Sequence, residues 1–422
     1  MRTPLVAGLV AASVLFLFLG LVARSWRVVL LAMPPLLFLA LGSISPPTRP
    51  VLAMARGISR DRIQAGGLLV VELAVRNERE GLDLLEILDV LPGEFTLASG
   101  TNHAVIALAP GESSRLLYTV RPDVKGDYRI GPVRVRSLDP LGLGAEETVV
   151  GLETRVVVAP VLEDMRRARF APRRTRPWFG QVASKRPGPG SEFWAIRDYH
   201  AGDEVRRINW KATARLERPL TNEYEGERSG DVVIVLDARR ESFVGTQTDN
   251  PVEHGVRAAL GIADYVLSQR NRVGLVVQRN VLDRVPPAFG RKQLYRILDA
   301  LIHVRAGGEW PFSHVAWILS RYYPRDVLVV LVSPLADRTA LDATVGLAAR
   351  GYEVAIVSPS PLDIERAFVR PSGSADLAYQ ILKTERDNLL LQLRRVAQVV
   401  DWDPKAPLAL SLRRMRTSTR PA

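Results

Sequence analysis

"DVVIVLDARRE", residues 231–241, decides the fold of the larger part of the chain. Val232 to Leu236 form an unbroken apolar run rich in β-branched residues. That pattern predicts a strand buried on both faces rather than one with a wet side. Downstream, Asn250, Pro251 and Glu253 make a helix start, and a helix is expected to about Gln269 with Val256, Ala259, Leu260, Ala263, Val266 and Leu267 on one face. A strand at 273–278, helices near 291–301 and 314–323, a strand in "DVLVVLVSP" (326–334), a helix at 340–350 and a strand in "YEVAIVSPS" (352–360) follow. A long charged helix over about 375–400 and a basic tail at 411–422 complete the reading. The alternation predicts an α/β domain over 231–410 with a mostly parallel sheet covered by helices.

Working outward, residues 51–160 change to short alternating runs separated by turn residues. "LLVVELAVRN" (68–77), "AVIALAPGESSRLLYTVRP" (104–122) and "RIGPVRVRS" (129–137) predict a β-sandwich, with Arg134 and Arg136 on the solvated face of a strand. Residues 161–190 read as a basic linker or extended strap. From 162 to 190 it holds seven arginines, one lysine and four prolines, with little apolar periodicity. Trp178 and Phe179 among those cations raise nucleic-acid stacking, but a basic segment beside a membrane anchor answers more simply to anionic lipid or an acidic protein surface. No nucleic-acid partner is expected.

At the N-terminus, Leu5 to Val22 and Val28 to Ile44 are uncharged runs of 18 and 17 residues, each about long enough to cross a bilayer core. Ala23 to Arg27 separate them, so the pair reads as a transmembrane hairpin over residues 1–45, with Pro34 and Pro35 kinking the second span. The competing reading, a cleaved signal peptide, fits less well because a second apolar run follows at once. Arg2, Arg49, Arg56, Arg60 and Arg62 on the side of the chain's body, against Arg24 and Arg27 in the loop, predict a cytoplasmic body on a prokaryotic plasma membrane.

Composition narrows the chemistry. The 422 residues include no cysteine, which excludes disulfides, thiolate catalysis and cysteine-ligated metal centres. The formal net charge of +12 favours polyanionic neighbours. No glycine-rich phosphate loop occurs.

Residues 191–230 carry the densest mixture of side chains, in "GSEFWAIRDYHAGDEVRRINWKATAR" (190–215). Asp198, His200, Asp203 and Glu204 are the residue types for acid–base or metal chemistry, although their spacing matches no hydrolase or zinc motif. The structural reading explains more residues. In it Ala201 to Asp203 form a tight turn with Asp203 capping a short helical segment, Val205, Ile208, Ala212 and Leu216 share a face, and Trp194 and Trp210 are buried against the sheet. Arginines and carboxylates then pair into a network that fixes domain geometry for a partner.

The run "KGDYRIGPVRVRSLDPLGL" (125–143), followed by this block, resembles the bacterial and archaeal family called domain of unknown function 58. The resemblance implies two membrane spans, a β-domain and a von Willebrand factor A-like domain, with Arg197, Asp198, Tyr199, Gly202, Asp203, Arg207, Ile208, Trp210, Ala214 and Arg215 as signature residues of a structural and docking block. It also implies association with a MoxR-type AAA+ ATPase, hence a membrane-anchored, non-catalytic interaction protein. A von Willebrand factor A-like domain often binds a divalent cation through an Asp-x-Ser-x-Ser loop. Here Asp237 matches the first ligand, but Arg239 and Glu241 replace the serines, while Glu309 and Ser333 fall near the later ligand positions. The set Asp237, Glu241, Glu309 and Ser333 reads as degenerate, and Arg239 argues against a bound divalent cation, so no cofactor is expected. A metal-dependent adhesion module, or an enzyme using Asp237 or Asp198, His200 and Asp203, stays open as the alternative.

Overall fold

A computed structural model describes residues 4–44, 49–139, 141–165, 176–200, 202–229, 231–280 and 282–413, with backbone alone for 43, 44, 176–192, 194, 225–229 and 413. Arg2, Ala201, residues 166–175, residues 414–422 and the side chains of Trp178, Phe179 and Trp194 therefore lie outside the described residues. The chain divides into two compact units, Met1–Ala159 and Pro160–Ala422.

The first unit opens with α1 (Pro4–Val22), α2 (Trp26–Leu30) and α3 (Met33–Ile44). Among the described residues α1 is long and apolar enough to cross a membrane. The second apolar run is not one continuous span. Pro34 and Pro35 cannot donate to the carbonyls of Leu30 and Leu31, and the Pro34 ring crowds the Leu30 carbonyl, so the helix breaks at Leu31–Ala32. Gly20 permits the close approach of the two arms, since a Cβ there would lie 2.5 Å from Val29 Cγ2.

Eleven strands follow: β1 (Leu52–Ile58), β2 (Arg62–Gln64), β3 (Leu69–Asn77), β4 (Leu82–Asp89), β5 (Phe95–Gly100), β6 (His103–Leu108), β7 (Ser113–Pro122), β8 (Gly126–Ile130), β9 (Val133–Leu138), β10 (Ala145–Val150) and β11 (Thr154–Ala159). They form sheets ordered β1-β3-β7-β5, β10-β9-β4-β6 and β2-β11-β8. One face of the first sheet covers both others. Leu73 and Val75 pack with Leu85, Ile87, Val133 and Val135, while Leu69 and Val71 on the same strand pack with Ile130, Val156 and Val158. Arg134 is exposed and Arg136 half-buried, as a solvated strand face requires.

Arg56 departs from the reading that counted it as a charge beside the membrane. The alternation of β1 turns it inward, where its side chain and that of Asp89 are both wholly buried. Its Nη2 and Nε donate to Asp89 at 2.6 and 3.0 Å, Nη1 donates to the Ile130 and Leu152 carbonyls at 2.7 and 2.8 Å, and Tyr118 donates to Asp89 at 2.7 Å. Burial, then the hydrogen bond to Asp89, pushes the Tyr118 hydroxyl well above its ordinary pKa.

The second unit holds β12 (Arg176–Asp198), α4 (Trp210–Leu216), β13 (Leu220–Ser229), β14 (Asp231–Asp237), α5 (Pro251–Ser268), β15 (Arg272–Gln278), β16 (Leu282–Ala288), α6 (Gly290–Ile302), α7 (His314–Tyr322), β17 (Leu328–Val332), α8 (Arg338–Ala349), β18 (Glu353–Pro359), α9 (Pro361–Arg366), α10 (Gly373–Leu393), β19 (Gln398–Trp402) and α11 (Leu408–Arg413). A six-stranded sheet runs β16-β15-β14-β17-β18-β19, parallel except for β16. Val232, Ile234 and Leu236 face one core with α5, while Val233 and Val235 face the other with α7 and α8. Each such buried aliphatic side chain contributes roughly 1.5–3 kcal/mol.

The structure departs from the expected element boundaries in three places. Of residues 161–190, expected as a linker or extended strap, 176–190 are extended within a strand (Arg176–Asp198) paired antiparallel with β13. Pro177 and Pro187 stand at its register shifts, where a missing donor costs no ladder bond. The helix expected to reach residue 400 ends at Leu393, and Gln398–Trp402 pairs with β18, because the β18 edge offers the Val399 and Val400 backbone a parallel ladder. The start of the expected tail is helical, with Leu412 buried.

Candidate functional site

Arg197 is the hub of residues 191–230. Strand pairing sets it opposite Thr221. From there Nε donates to Glu223 at 2.7 Å, while Nη1 and Nη2 grip both oxygens of Asp203 at 2.7 Å each. The fork geometry makes this a bidentate pair with direction as well as charge. The Arg197 hydrogen bonds, helped by the His200 backbone N–H, lower the Asp203 carboxyl to about 2. Asp203 therefore does not cap the short 3-10 turn at Val205–Arg207. It closes the turn on which Gly202 sits at a φ of 113°.

The other polar residues are also engaged. Arg218 donates to Asp198 at 3.1 Å, Arg206 and Arg207 both pair with Glu204, and the Arg207 guanidinium lies 5.6 Å over the Tyr224 ring. Tyr199 is half-buried, and its N–H donates to the Pro219 carbonyl at 3.0 Å. Ile208 bridges to Thr221. Arg197, Asp203, Glu204, Arg207, Glu223 and Tyr224 line an open polar cleft of about 410 Å³. Of the residues read as acid–base candidates, Asp198, Asp203 and Glu204 each face an arginine, and His200 is exposed with Nδ1 3.0 Å from Arg197 Nη1.

The expected apolar face is the main correction. Trp210 is 66% exposed, with Val205 at 64% and Leu216 at 58%, while Ile208 and Ala212 are half-buried. The reason lies in how α4 is held. Asn209 caps it by accepting from Ala212 N–H at 3.0 Å and donating to Asn222 at 2.9 Å, and Thr213 accepts from Leu220 N–H at 3.0 Å. Polar tethers dock this short helix on β13, leaving Trp210 in solvent beside exposed Lys211, Ala214 and Arg215.

At the carboxyl ends of β14 and β17 the strand order reverses, the position at which open α/β sheets bind ligands. Arg239 fills it. This residue is 2% exposed, and its side chain makes five hydrogen bonds: Nε and Nη2 to Asp237 at 2.9 and 3.0 Å, Nη1 and Nη2 to Asp337 at 2.9 and 3.2 Å, and Nη1 to Thr339 at 3.2 Å. That is every donor a guanidinium carries. Ser333 donates to Asp237 at 2.8 Å, and the ring of wholly buried Phe312 lies 5.2 Å from the guanidinium carbon. Burial alone would lower the Arg239 pKa, but the bonds to Asp237 and Asp337 raise it above the ordinary arginine value. Burial likewise opposes the Asp337 charge, and the Arg239 and Thr339 hydrogen bonds more than offset it, leaving its pKa lowered.

Of the expected degenerate set, Asp237 and Ser333 meet here, whereas Glu241 and Glu309 are exposed and Glu309 sits 3.8 Å from Arg240. The residues do not fit a divalent cation, because both Asp237 oxygens and both Asp337 oxygens accept from a fixed cation. Among the described residues no group of three or more histidines and carboxylates converges as a metal site. Thr339, Phe312 and Arg386 escaped the sequence reading. Arg386, 8% exposed, ties α10 to Asp401 at 2.6 Å, Ser358 at 2.9 Å and the Pro334 carbonyl at 2.9 Å, and lines a cleft of about 910 Å³ with Asp337 and Leu389. Nothing in an exposed charged helix pattern singles it out.

Residues 195–363 match the family model described as Protein of unknown function DUF58, which bears out the resemblance read from the signature block. Uncharacterised proteins of Mycobacterium tuberculosis and Mycobacterium bovis are each 29% identical over 184 residues, covering 42% of this chain and 58% of the relative. The match thus spans little over half the length of these relatives. Among solved structures, the CARDB domain of a Pyrococcus furiosus protein is similar at 15% identity over 25% of this chain and 91% of its own, with a TM-score of 0.17. A FixG-related protein from Vibrio parahaemolyticus is similar at 16% identity over 26% and 98%, with a TM-score of 0.18. At such scores neither bears on what the chain does.

Proposed function

We propose that the chain is a membrane-anchored interaction scaffold, with its body in the cytoplasm of a prokaryote. Its signature block docks a protein partner, and its α/β domain is von Willebrand factor A-like. The observation that carries this reading is the exposure of Trp210, Val205 and Leu216 on a block whose backbone is otherwise fixed by Arg197, Asn209 and Thr213. An exposed tryptophan flanked by cations on a rigid support has the composition of an interface hot spot, since desolvating it on binding costs little and yields much. The arginine-paired carboxylates favour this over acid–base chemistry. The family resemblance points to a MoxR-type AAA+ ATPase as the partner. Affinity purification of the tagged chain from native membranes should recover that ATPase, and Trp210→Ala should reduce recovery at least tenfold. Equal recovery with wild type and variant would reject the docking site; recovery of no ATPase with either would reject the partner.

A further inference from the structure

Asp237, Asp337, Ser333 and Thr339 converge from two loops and the start of a helix on one point, an array of hard oxygen donors of the kind that holds a divalent cation. What stands at that point is the guanidinium of Arg239. It bonds both oxygens of both carboxylates and one hydroxyl, with no donor left over. We infer that Arg239 is a built-in replacement for a divalent cation: it fixes the loops of the strand-order crossover without metal, and it is what prevents these oxygens from binding one.

Three features carry the inference beyond simple charge neutralisation. First, the guanidinium joins segments far apart in sequence, Asp237 at the end of β14 and Asp337 after β17, as a shared ion would. Second, the loop after α6 is attached to the two neighbours of Arg239 in the chain: Arg240 N–H donates to the Gly308 carbonyl at 2.9 Å and Gly307 N–H to the Ala238 carbonyl at 2.9 Å, while Phe312 packs over the guanidinium. Third, Arg239 emanates from the loop of Asp237 itself, so its charge is supplied in a fixed place at no cost in association entropy. A metal ion offers a free coordination position to a partner's carboxylate. A saturated, buried guanidinium offers none, so recognition at this end of the sheet is independent of divalent ions.

Deleting the arginine should therefore create a metal site. In Arg239→Ser the small hydroxyl leaves the two carboxylates, Ser333 and Thr339 facing a space with excess negative charge. The test uses the purified full chain in detergent, with manganese as probe, free manganese read by electron paramagnetic resonance and unfolding followed by circular dichroism. Wild type should bind no manganese at this site and show the same unfolding midpoint with manganese or with chelator. Arg239→Ser should unfold at a lower temperature in chelator, bind one manganese ion per chain, and recover several degrees when the ion is saturating. Arg239→Ser/Asp237→Asn should lose that binding. A variant that folds only with manganese supports the inference equally. Arg239→Ser that binds no manganese, or that fails to fold with and without it, overturns the inference, as does manganese binding by wild type that Asp237→Asn abolishes.

Discussion

The Arg239 Nε lies 2.9 Å from Oδ1 of Asp237, two residues earlier in the chain, and neither side chain is more than 2% exposed. An ion pair this short in sequence and this deeply buried contributes little through chain ordering. Its consequence is electrostatic, because each charge is tolerable only in the presence of the other.

Arg239→Ala is therefore expected to destabilise the second unit by about 3–5 kcal/mol, the range for breaking a buried pair and stranding its partner. Arg239→Lys should be intermediate, since an ammonium keeps the charge but cannot bond four carboxylate oxygens in one plane. Chemical denaturation of the two variants against wild type checks the order. Equal stability of Lys and Ala variants would show that geometry rather than charge dominates.

A parallel expectation holds in the first unit. Arg56→Ala removes the cation from wholly buried Asp89 and should cost about 3–5 kcal/mol. Tyr118→Phe leaves the pair intact and removes one donor at 2.7 Å, so about 1–3 kcal/mol is expected. Thermal unfolding monitored on β-sheet ellipticity separates them.

These two arginines show what was legible. The inward phase of Arg56 follows from the alternation of Leu52, Met54 and Ile58 around it, whereas its nearness to an apolar segment points to a membrane-side charge. At position 239 the Asp237 loop pattern sets the comparison, since it places a cation where a serine hydroxyl would stand. The α/β alternation and the cap at Asn250 were legible for a physical reason: local period and local capping determine them, and Asn250 accepts from Glu253 N–H at 2.9 Å as its sequence context requires. By contrast β19 depends on pairing with β18, a contact that no local pattern contains. The exposure of Trp210 was illegible for the same reason, since aromatic residues are buried on average and only the polar tethers of α4 decide otherwise.

His254 supplies a pH-dependent term. It is buried at the start of α5, with Nε2 2.6 Å from Asp249, Nδ1 3.4 Å from Arg257 and its ring edge-on to Trp402; Glu163 reaches Arg257 from the other side. Burial dominates and lowers its pKa, with the Asp249 hydrogen bond opposing. The unfolded chain thus binds the proton more readily than the folded one, so stability rises with pH through the interval between the lowered folded value and about 6.5. Denaturation midpoints of wild type should fall on acidification through that interval. His254→Gln should show a shallower slope, and an unchanged slope would assign the pH dependence to other groups.

The exposure of Trp210 reverses the expectation that a buried aromatic would carry stability. Trp210→Ala should change the free energy of unfolding by no more than about 0.5 kcal/mol, as for surface positions. A loss of several kcal/mol would mean that the ring is covered in the folded protein. His200→Ala, at an exposed position 3.0 Å from Arg197, should also be mild, while Arg197→Ala should loosen the turn by removing both Asp203 bonds and the Glu223 bond together.

The proposed membrane anchor begins with α1, which is long and apolar enough to cross a bilayer. In α1 the 19 residues from Pro4 rise roughly 28 Å at about 1.5 Å per residue, close to the thickness of a bilayer core. The second run has a comparable length but is broken before Pro34, so it crosses only if the break is held against a neighbour; Gly20 lets α1 approach Val29 just ahead of that break. Alkaline carbonate extraction of native membranes should leave the wild-type chain in the pellet, and protease added outside intact cells should spare the body of the chain. Gly20→Leu, which drives a side chain into Val29, should separate the arms of the hairpin. The single span α1 would then suffice for retention in the pellet, but the body would become exposed to external protease in a fraction of molecules. Extraction of wild type into the soluble fraction would reject the anchor, and full protection of both proteins would mean that α1 and the arginine distribution set the topology without the hairpin contact.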